Sequence, residues 1–409
     1  MKTLLASIIV LTTAFVGMAA GPYINPETVD FRQDWNRIVT IRYDLENAPA
    51  VVTVDIQTNA GYNAWISIGD DKFTSISGDV NKVVPQGTGK LITWNPRVDL
   101  PPMKIIGNDV ARAVLTAWAT NAPPDYMVID LTKNASAGAA DNVRYYTSTN
   151  ALPGGGLAND AYRLSHLVMR RIPAAGVTWR MGSPVGEYNR SANETPHLVT
   201  LTKDYYMGIY EFTESQWSCV MNGAATQSML PKGSVSWNTI RGNSNWPSGG
   251  HAVGASSLMG TLRSCTGFDT FDFPTEAQWE YACRAGTETG WPNGQNASDM
   301  ATLKTFAVVW STNSGSKYQV GKLLPNDWGL YDMIGNIGEF CLDWFGAYDV
   351  SDDVDPKGPA TGTARVYRGS YWEYGEFKYF SSARRASRNP VDGVYAFGFR
   401  VVCDAVAVR

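Results

Sequence analysis

Apolar and polar residues alternate through much of the first third of the chain. Val39, Ile41, Tyr43 and Leu45 are interleaved with Thr40, Arg42 and Asp44; Val52, Val54 and Ile56 are interleaved with Thr53, Asp55 and Gln57. A period of two marks a strand with one buried face. Lys90–Trp94, Ala111–Trp118 and Tyr126–Leu131 are further strand candidates, and turn residues separate them at Gly78-Asp79, Pro85-Gln86-Gly87 and Pro101-Pro102. Short strands at this spacing predict an antiparallel β-sandwich over residues 22–133, immunoglobulin- or fibronectin-like. No residue in this half proposes chemistry.

The pattern then breaks. Residues 134–160 read as a linker, with small polar residues from Asn134 to Ala140 and a flexible break at Pro153-Gly-Gly-Gly156. From 161 to 409 the period of two gives way to two helix starts. Thr213-Glu-Ser-Gln216 and Thr275-Glu-Ala-Gln278 are capping boxes, in which the threonine caps the third helical amide and the glutamine reaches back. Each leads into an apolar face, Trp217, Val220 and Met221 in one and Trp279, Tyr281 and Ala282 in the other. The rest is rich in Gly, Asn, Asp and Pro. This predicts an α+β domain with much ordered loop, in a two-domain chain.

Composition sharpens the picture. With 44% hydrophobic and 18% charged residues over 409 positions, the chain can bury a core and is not mainly disordered. A net charge of −4 lacks the basic footprint that nucleic acid requires. Residues 1–20 look like a signal peptide: Lys2, an apolar stretch from Leu4 to Val16, then Gly17-Met-Ala-Ala20 for cleavage. The other reading is an uncleaved anchor, but the run is shorter than the roughly 20 residues a span needs. The mature chain is expected to have no transmembrane span, and to be secreted, periplasmic or held at the cell surface. All five cysteines (Cys219, Cys265, Cys283, Cys341, Cys403) lie in the second half, and an odd number leaves at least one without an internal partner.

Six stretches, in order, carry a resemblance. They are Met181-Gly-Ser-Pro184 with Glu194-Thr-Pro-His-Leu-Val199; Tyr210-Glu-Phe-Thr213 with Gln216-Trp217; Phe273-Pro-Thr-Glu-Ala-Gln-Trp-Glu-Tyr281 with Cys283-Arg-Ala-Gly286; Pro325-Asn326 with Trp328-Gly-Leu-Tyr-Asp-Met333; Gly335-Asn-Ile-Gly-Glu339 with Asp343-Trp344; and Arg368-Gly369 with Ala383-Arg-Arg385 and Gly398-Phe-Arg400. Over residues 168–404 the chain resembles the formylglycine-generating-enzyme, or sulfatase-modifying-factor, family. The resemblance implies a C-type-lectin-like domain. Familiar members oxidise a sulfatase cysteine to formylglycine with molecular oxygen and copper(I).

The resemblance fails at the copper site. Active members hold copper(I) with two cysteines, five residues apart, in the interval that here runs from Tyr371 to Ser382. This interval contains no cysteine, nor does any position from 342 to 402. Copper(I) is soft and needs thiolates, so copper is not expected and no catalytic residue is assigned. The alternative reading is a formylglycine-generating or other oxygen-dependent oxidoreductase with a rearranged site. The resemblance also implies a structural calcium ion, held by side chains of Asp332 and Glu339 and carbonyls of Gly335 and Ile337; oxygen donors of this kind suit calcium. It further implies a disulfide from Cys283. The family's partner position is Val401 here, so Cys403, two residues on, is the candidate. Cys219 and Cys265 can be a pair or two free thiols, and Cys341 reads as a buried small hydrophobe.

Ten aromatics fall between 366 and 400, far above the 12% of the whole chain. Phe399 and Trp372 belong to the scaffold motifs. Some of the ten must be core, yet the altered positions fall where the active site would open. Tyr371, Trp372, Tyr374, Glu376, Phe377, Tyr379 and Tyr395 therefore form a candidate ligand-binding surface, since rigid aromatic area binds at low entropic cost. Lectin-like domains with this signature also serve as display scaffolds, among them the variable proteins of diversity-generating retroelements. The leading expectation is an exported, non-catalytic display scaffold for a protein or glycan ligand at an extracellular surface.

Overall fold

In a computed structural model, the residues described are 21–59, 64–100, 111–133, 142–242, 245–296, 298–312, 315–351 and 354–405. The signal-peptide assignment for residues 1–20 lies outside them. The alternating stretches form the expected strands. β1 (Val39–Glu46) and β2 (Ala50–Asn59) lie in separate sheets, with β3 (Gly87–Trp94) pairing antiparallel to β1 and β4 (Ala111–Ala119) to β2. Val39, Ile41, Tyr43 and Leu45 meet Val52, Ile56, Trp94 and Ala111 in one core between the sheets. Polar Thr40, Arg42 and Asp44 point away from it, as a strand's two faces require.

The boundary after this unit differs from expectation. β5 (Tyr126–Asp130) is a strand, but its partners are β6 (Val143–Tyr146) and β7 (His166–Ile172), not strands of the first two sheets. Alternation identifies a strand and leaves its neighbours unspecified. Met127 and Ile129 pack with Leu167, Met169 and Tyr206, which places β5 in the second unit. Part of the expected linker is likewise ordered: β6 falls within it, and Leu152 is buried. Pro153-Gly-Gly-Gly156 is a turn with φ of 75°, 93° and 67° at its glycines. Side-chain-bearing residues rarely adopt that conformation. The seam between the units is bonded: the Tyr145 amide donates to the Asn81 carbonyl at 2.7 Å, and Thr147 and Ser148 hydroxyls donate to Asp70.

In the second unit, β8 (Val177–Met181) and β9 (His197–Leu201) form a hairpin, and β10 (Tyr205–Gly208) extends the β5–β7 sheet. Both capping boxes form. Thr213 starts α1 (Glu214–Asn222) and Thr275 starts α2 (Glu276–Arg284), each with threonine and glutamine bonds reciprocated. β11 (Gly338–Trp344), β12 (Arg365–Arg368), β13 (Arg385–Arg388) and β14 (Phe397–Gly398) make a further sheet, and β15 (Val402–Asp404) closes the first against β10. Among the described residues, no helix is long and apolar enough to cross a membrane.

The expected Cys283–Cys403 bridge is not formed. All five cysteines are free thiols. Cys283 sits on α2 in one core cluster, whereas Cys403 on β15 faces Tyr145 and Tyr206 in another. Val401, the family's partner position, packs in the same core as Cys403, so this whole face of the strand is turned away from Cys283.

Candidate functional site

Four buried arginines hold the frame on which the C-terminal loops sit. Arg368, at the end of β12, donates to Glu276 at 2.9 Å and Glu280 at 2.8 Å, both on α2. Arg385 on β13 also binds Glu276, and Arg284 binds Glu280. Arg400 donates to both oxygens of Glu339, at 2.7 and 2.6 Å. The chain then turns sharply at Gly369 (φ 85°) and Ser370 (φ 62°) into the interval of altered sequence. A Cβ on Gly369 would lie 3.0 Å from the Met333 carbonyl, so the turn needs glycine for space as well as conformation.

Beyond that turn the aromatics form a ledge. Tyr374 packs on Tyr371 at 4.6 Å and stacks on Tyr379 at 4.3 Å between ring centres. Trp372 lies between Trp310 (5.8 Å, stacked) and Tyr395 (6.2 Å). Phe377 stacks on Tyr188 at 5.2 Å. Tyr395 donates to Glu373, and the exposed Glu376 pairs with Lys378. Of the seven residues expected to bind, Trp372 is mostly covered, while Tyr395 is 53% exposed. The Trp372 indole N–H is buried and has no hydrogen-bond partner among the described residues. Trp310 (52% exposed) and Tyr188 (53%) were not legible in sequence. Trp310 lies in a stretch that matches no family motif, and nothing local distinguishes Tyr188.

The calcium positions do come together, but as a different arrangement. Gly335 donates its amide to Gly369, and Ile337 donates to Glu211 at 3.0 Å. Glu339 gives its oxygens to Arg400 and to the Trp279 indole. Asp332 accepts from the Gly321 amide through Oδ2, and its Oδ1 is buried without a partner. Among the described residues, no group of three or more His, Cys, Asp or Glu is placed to hold a metal. As arranged, the Glu339 carboxylate is paired with the Arg400 guanidinium. Glu211 is the member that sequence reading missed; it stands in the Tyr-Glu-Phe-Thr motif, where no local feature marks it as a neighbour of Asp332. Nor do the thiols fit copper(I): four of the five are buried in the cores, and none lies in the ledge.

Burial pushes the Glu211 carboxyl well above its usual range, with Asp332 and Glu339 adding to the effect. Burial also raises Asp332 from 3.8 to about 6. An acid raised by folding contributes stability that is full below its unfolded pKa and is lost as pH rises through its folded pKa. Asp332→Asn removes this dependence. Relative to the wild type, the variant is expected to gain on the order of 3 kcal/mol between about pH 4 and about pH 8. Urea unfolding at both values measures it, and parallel profiles would refute the assignment.

A family model for the sulfatase-modifying factor enzyme 1-like domain matches residues 169–405. The chain belongs to this family. It is 27% identical over 318 residues to the formylglycine-generating enzyme of Mus musculus, covering 66% of this chain and 83% of that protein. It is 38% identical over 146 residues to the formylglycine-generating enzyme of Streptomyces coelicolor, covering 32% of this chain and 46% of that one, less than half the relative's length. Among solved structures, Treponema denticola variable protein 1 overlaps with a TM-score of 0.48 and 25% identity, covering 58% of this chain and 95% of that one.

Proposed function

We propose that this family member is a non-catalytic recognition scaffold whose aromatic ledge holds a protein or glycan ligand at an extracellular surface. The observation that carries this reading is the replacement of the family's thiol pair by a continuous set of rings. A soft-metal oxidation site has no sulfur donors there. Two half-exposed rings, Trp310 and Tyr395, flank Trp372 and its unpartnered N–H. Apolar faces beside an unsatisfied donor suit a ligand that offers both a flat or CH-rich face and an acceptor. The N-terminal unit, which we read as an immunoglobulin- or fibronectin-like spacer, sets the ledge away from the chain start.

Selection from a displayed peptide library, together with a glycan array, supplies the ligand. Trp310→Ala and Tyr395→Ala are then each expected to weaken binding by roughly tenfold, the cost of a typical aromatic anchor, with an unchanged melt. The enzymatic alternative rests on the formylglycine-generating relatives. Tight one-to-one copper(I) binding, with oxidation of a peptide cysteine, would overturn the scaffold reading in its favour.

A further inference from the structure

A second concavity lies away from the ledge. It is a cleft of about 320 Å³ between the start of α2, the end of β11 and the loop through residues 356–360. That volume is at the lower end of the range for small-molecule sites, about 300–1,000 Å³. Its walls are largely carbon, including Met181, Ala277, Pro356 and Pro359.

The polar side chains lining it are Asp343, Glu276, Asp349, His197, Tyr348 and Arg385. Asp343 is 2% exposed; its Oδ2 accepts from the Glu276 amide at 2.7 Å, and its own backbone amide also bonds the carboxylate. His197 places Nδ1 2.9 Å from the Thr195 carbonyl, which puts the proton on that nitrogen and leaves Nε2 as an acceptor. The donors nearby are already committed. Arg385 gives Nε and Nη2 to Glu276, and Nη1 to the Gly346 and Asn193 carbonyls. Arg368 donates to the Tyr348 hydroxyl at 2.9 Å, and that hydroxyl lies 3.3 Å from Glu276. Asp349 adds a carboxylate at the rim. Acceptors set in a carbon-walled cleft call for a ligand that only donates, and an ammonium group has three donors and no acceptor.

We propose that this cleft binds a primary ammonium group on an unbranched alkyl chain, with Asp343 as its counter-ion and His197 as a second acceptor. A free diamine and a lysine side chain share that chemistry. The site is separate from the ledge and goes beyond the recognition reading.

Burial first and the Glu276 charge second push Asp343 up to about 7, against the pull of the Glu276 amide and Arg385. The groups that face it from the surrounding elements are Glu276, Arg365, Arg368, Arg385, Cys341, Tyr348, His197 and Asp349. An ammonium ion demands the ionised carboxylate, so affinity should climb with pH through that value.

The test is calorimetric titration of the full chain with 1,5-diaminopentane and, in a second arm, with a capped lysine tripeptide. 1-Pentanol and pentanoate are the controls. Saturable amine binding is expected, strengthening by about tenfold from about pH 6 to about pH 8 as one carboxyl ionises. The alcohol and the acid should not compete. Asp343→Asn keeps an acceptor for the Glu276 amide, so the fold should persist while amine binding falls at least tenfold and its pH dependence vanishes. Should that variant misfold, Ala360→Trp on the exposed rim blocks the cleft without touching Asp343. Trp310→Ala should leave amine binding intact, so failure here is distinct from failure at the ledge. Preference for the tripeptide over the diamine identifies a protein side chain as the source; the reverse identifies a free amine. Undiminished binding in both variants, equal binding of the alcohol, or no saturable binding in the millimolar range would overturn the proposal.

Discussion

Arg368→Met is expected to destabilise the second unit by about 3–5 kcal/mol, the usual cost of removing one partner from a buried ionic pair. The guanidinium is fully buried and spans two carboxylates, Glu276 and Glu280, as well as the Ser382 carbonyl and the Tyr348 hydroxyl. Methionine fills comparable space, so the change isolates charge and hydrogen bonding from packing. Arg385 would then be the one cation left to Glu276, beside the Tyr348 hydroxyl, and Arg284 the one left to Glu280, beside the Gly182 amide. Both acids lie on α2, whose first turn also walls the amine cleft. Urea unfolding followed by tryptophan emission should give a lower midpoint with an unchanged slope. The double variant Arg368→Met with Glu280→Gln should recover part of the loss, because it removes one stranded carboxylate. An unaltered midpoint in the single variant would refute the network's role.

The parts of this molecule legible in sequence were those with local causes. The β1 alternation and the two capping boxes each need only a few consecutive residues, and all three formed. The second unit's fold was legible through six dispersed motifs, and its buried charges explain their residue types. Arg368, Arg385 and Arg400 are scaffold because they neutralise acids far away in sequence. What was not legible depended on long-range choices. Tyr126–Asp130 had the right pattern and the wrong expected partners. Cys403 had the right strand and the wrong core. Trp310 joins the ledge only because its amide donates to the Tyr374 carbonyl, 64 positions on, a contact that no spacing rule encodes. Glu339 was placed in the right loop, but its pairing with Arg400, from the other end of the domain, was not readable in the sequence.

Arg400→Met tests that last assignment and is expected to cost a further buried pair's worth, again about 3–5 kcal/mol. Arg400 binds Glu339 through Nε and Nη2, and also donates to the Gly208 and Tyr331 carbonyls. Without it, Glu339 keeps only the Trp279 indole while Glu211 and Asp332 stand close by. Three carboxyls in one dry site cannot all ionise without a cation. Glu211 and Asp332, which Arg400 holds down in the wild type, would keep their protons to higher pH, so the variant's deficit should grow as pH rises. Chelator separates the two possible counter-charges. If the guanidinium is the only one, a chelator leaves the wild-type melt unchanged, and added calcium can raise only the Arg400→Met melt, by entering the vacated position. If the wild-type melt instead falls on chelation, then an ion and not Arg400 neutralises the cluster, and the Arg400→Met cost should shrink when calcium is saturating.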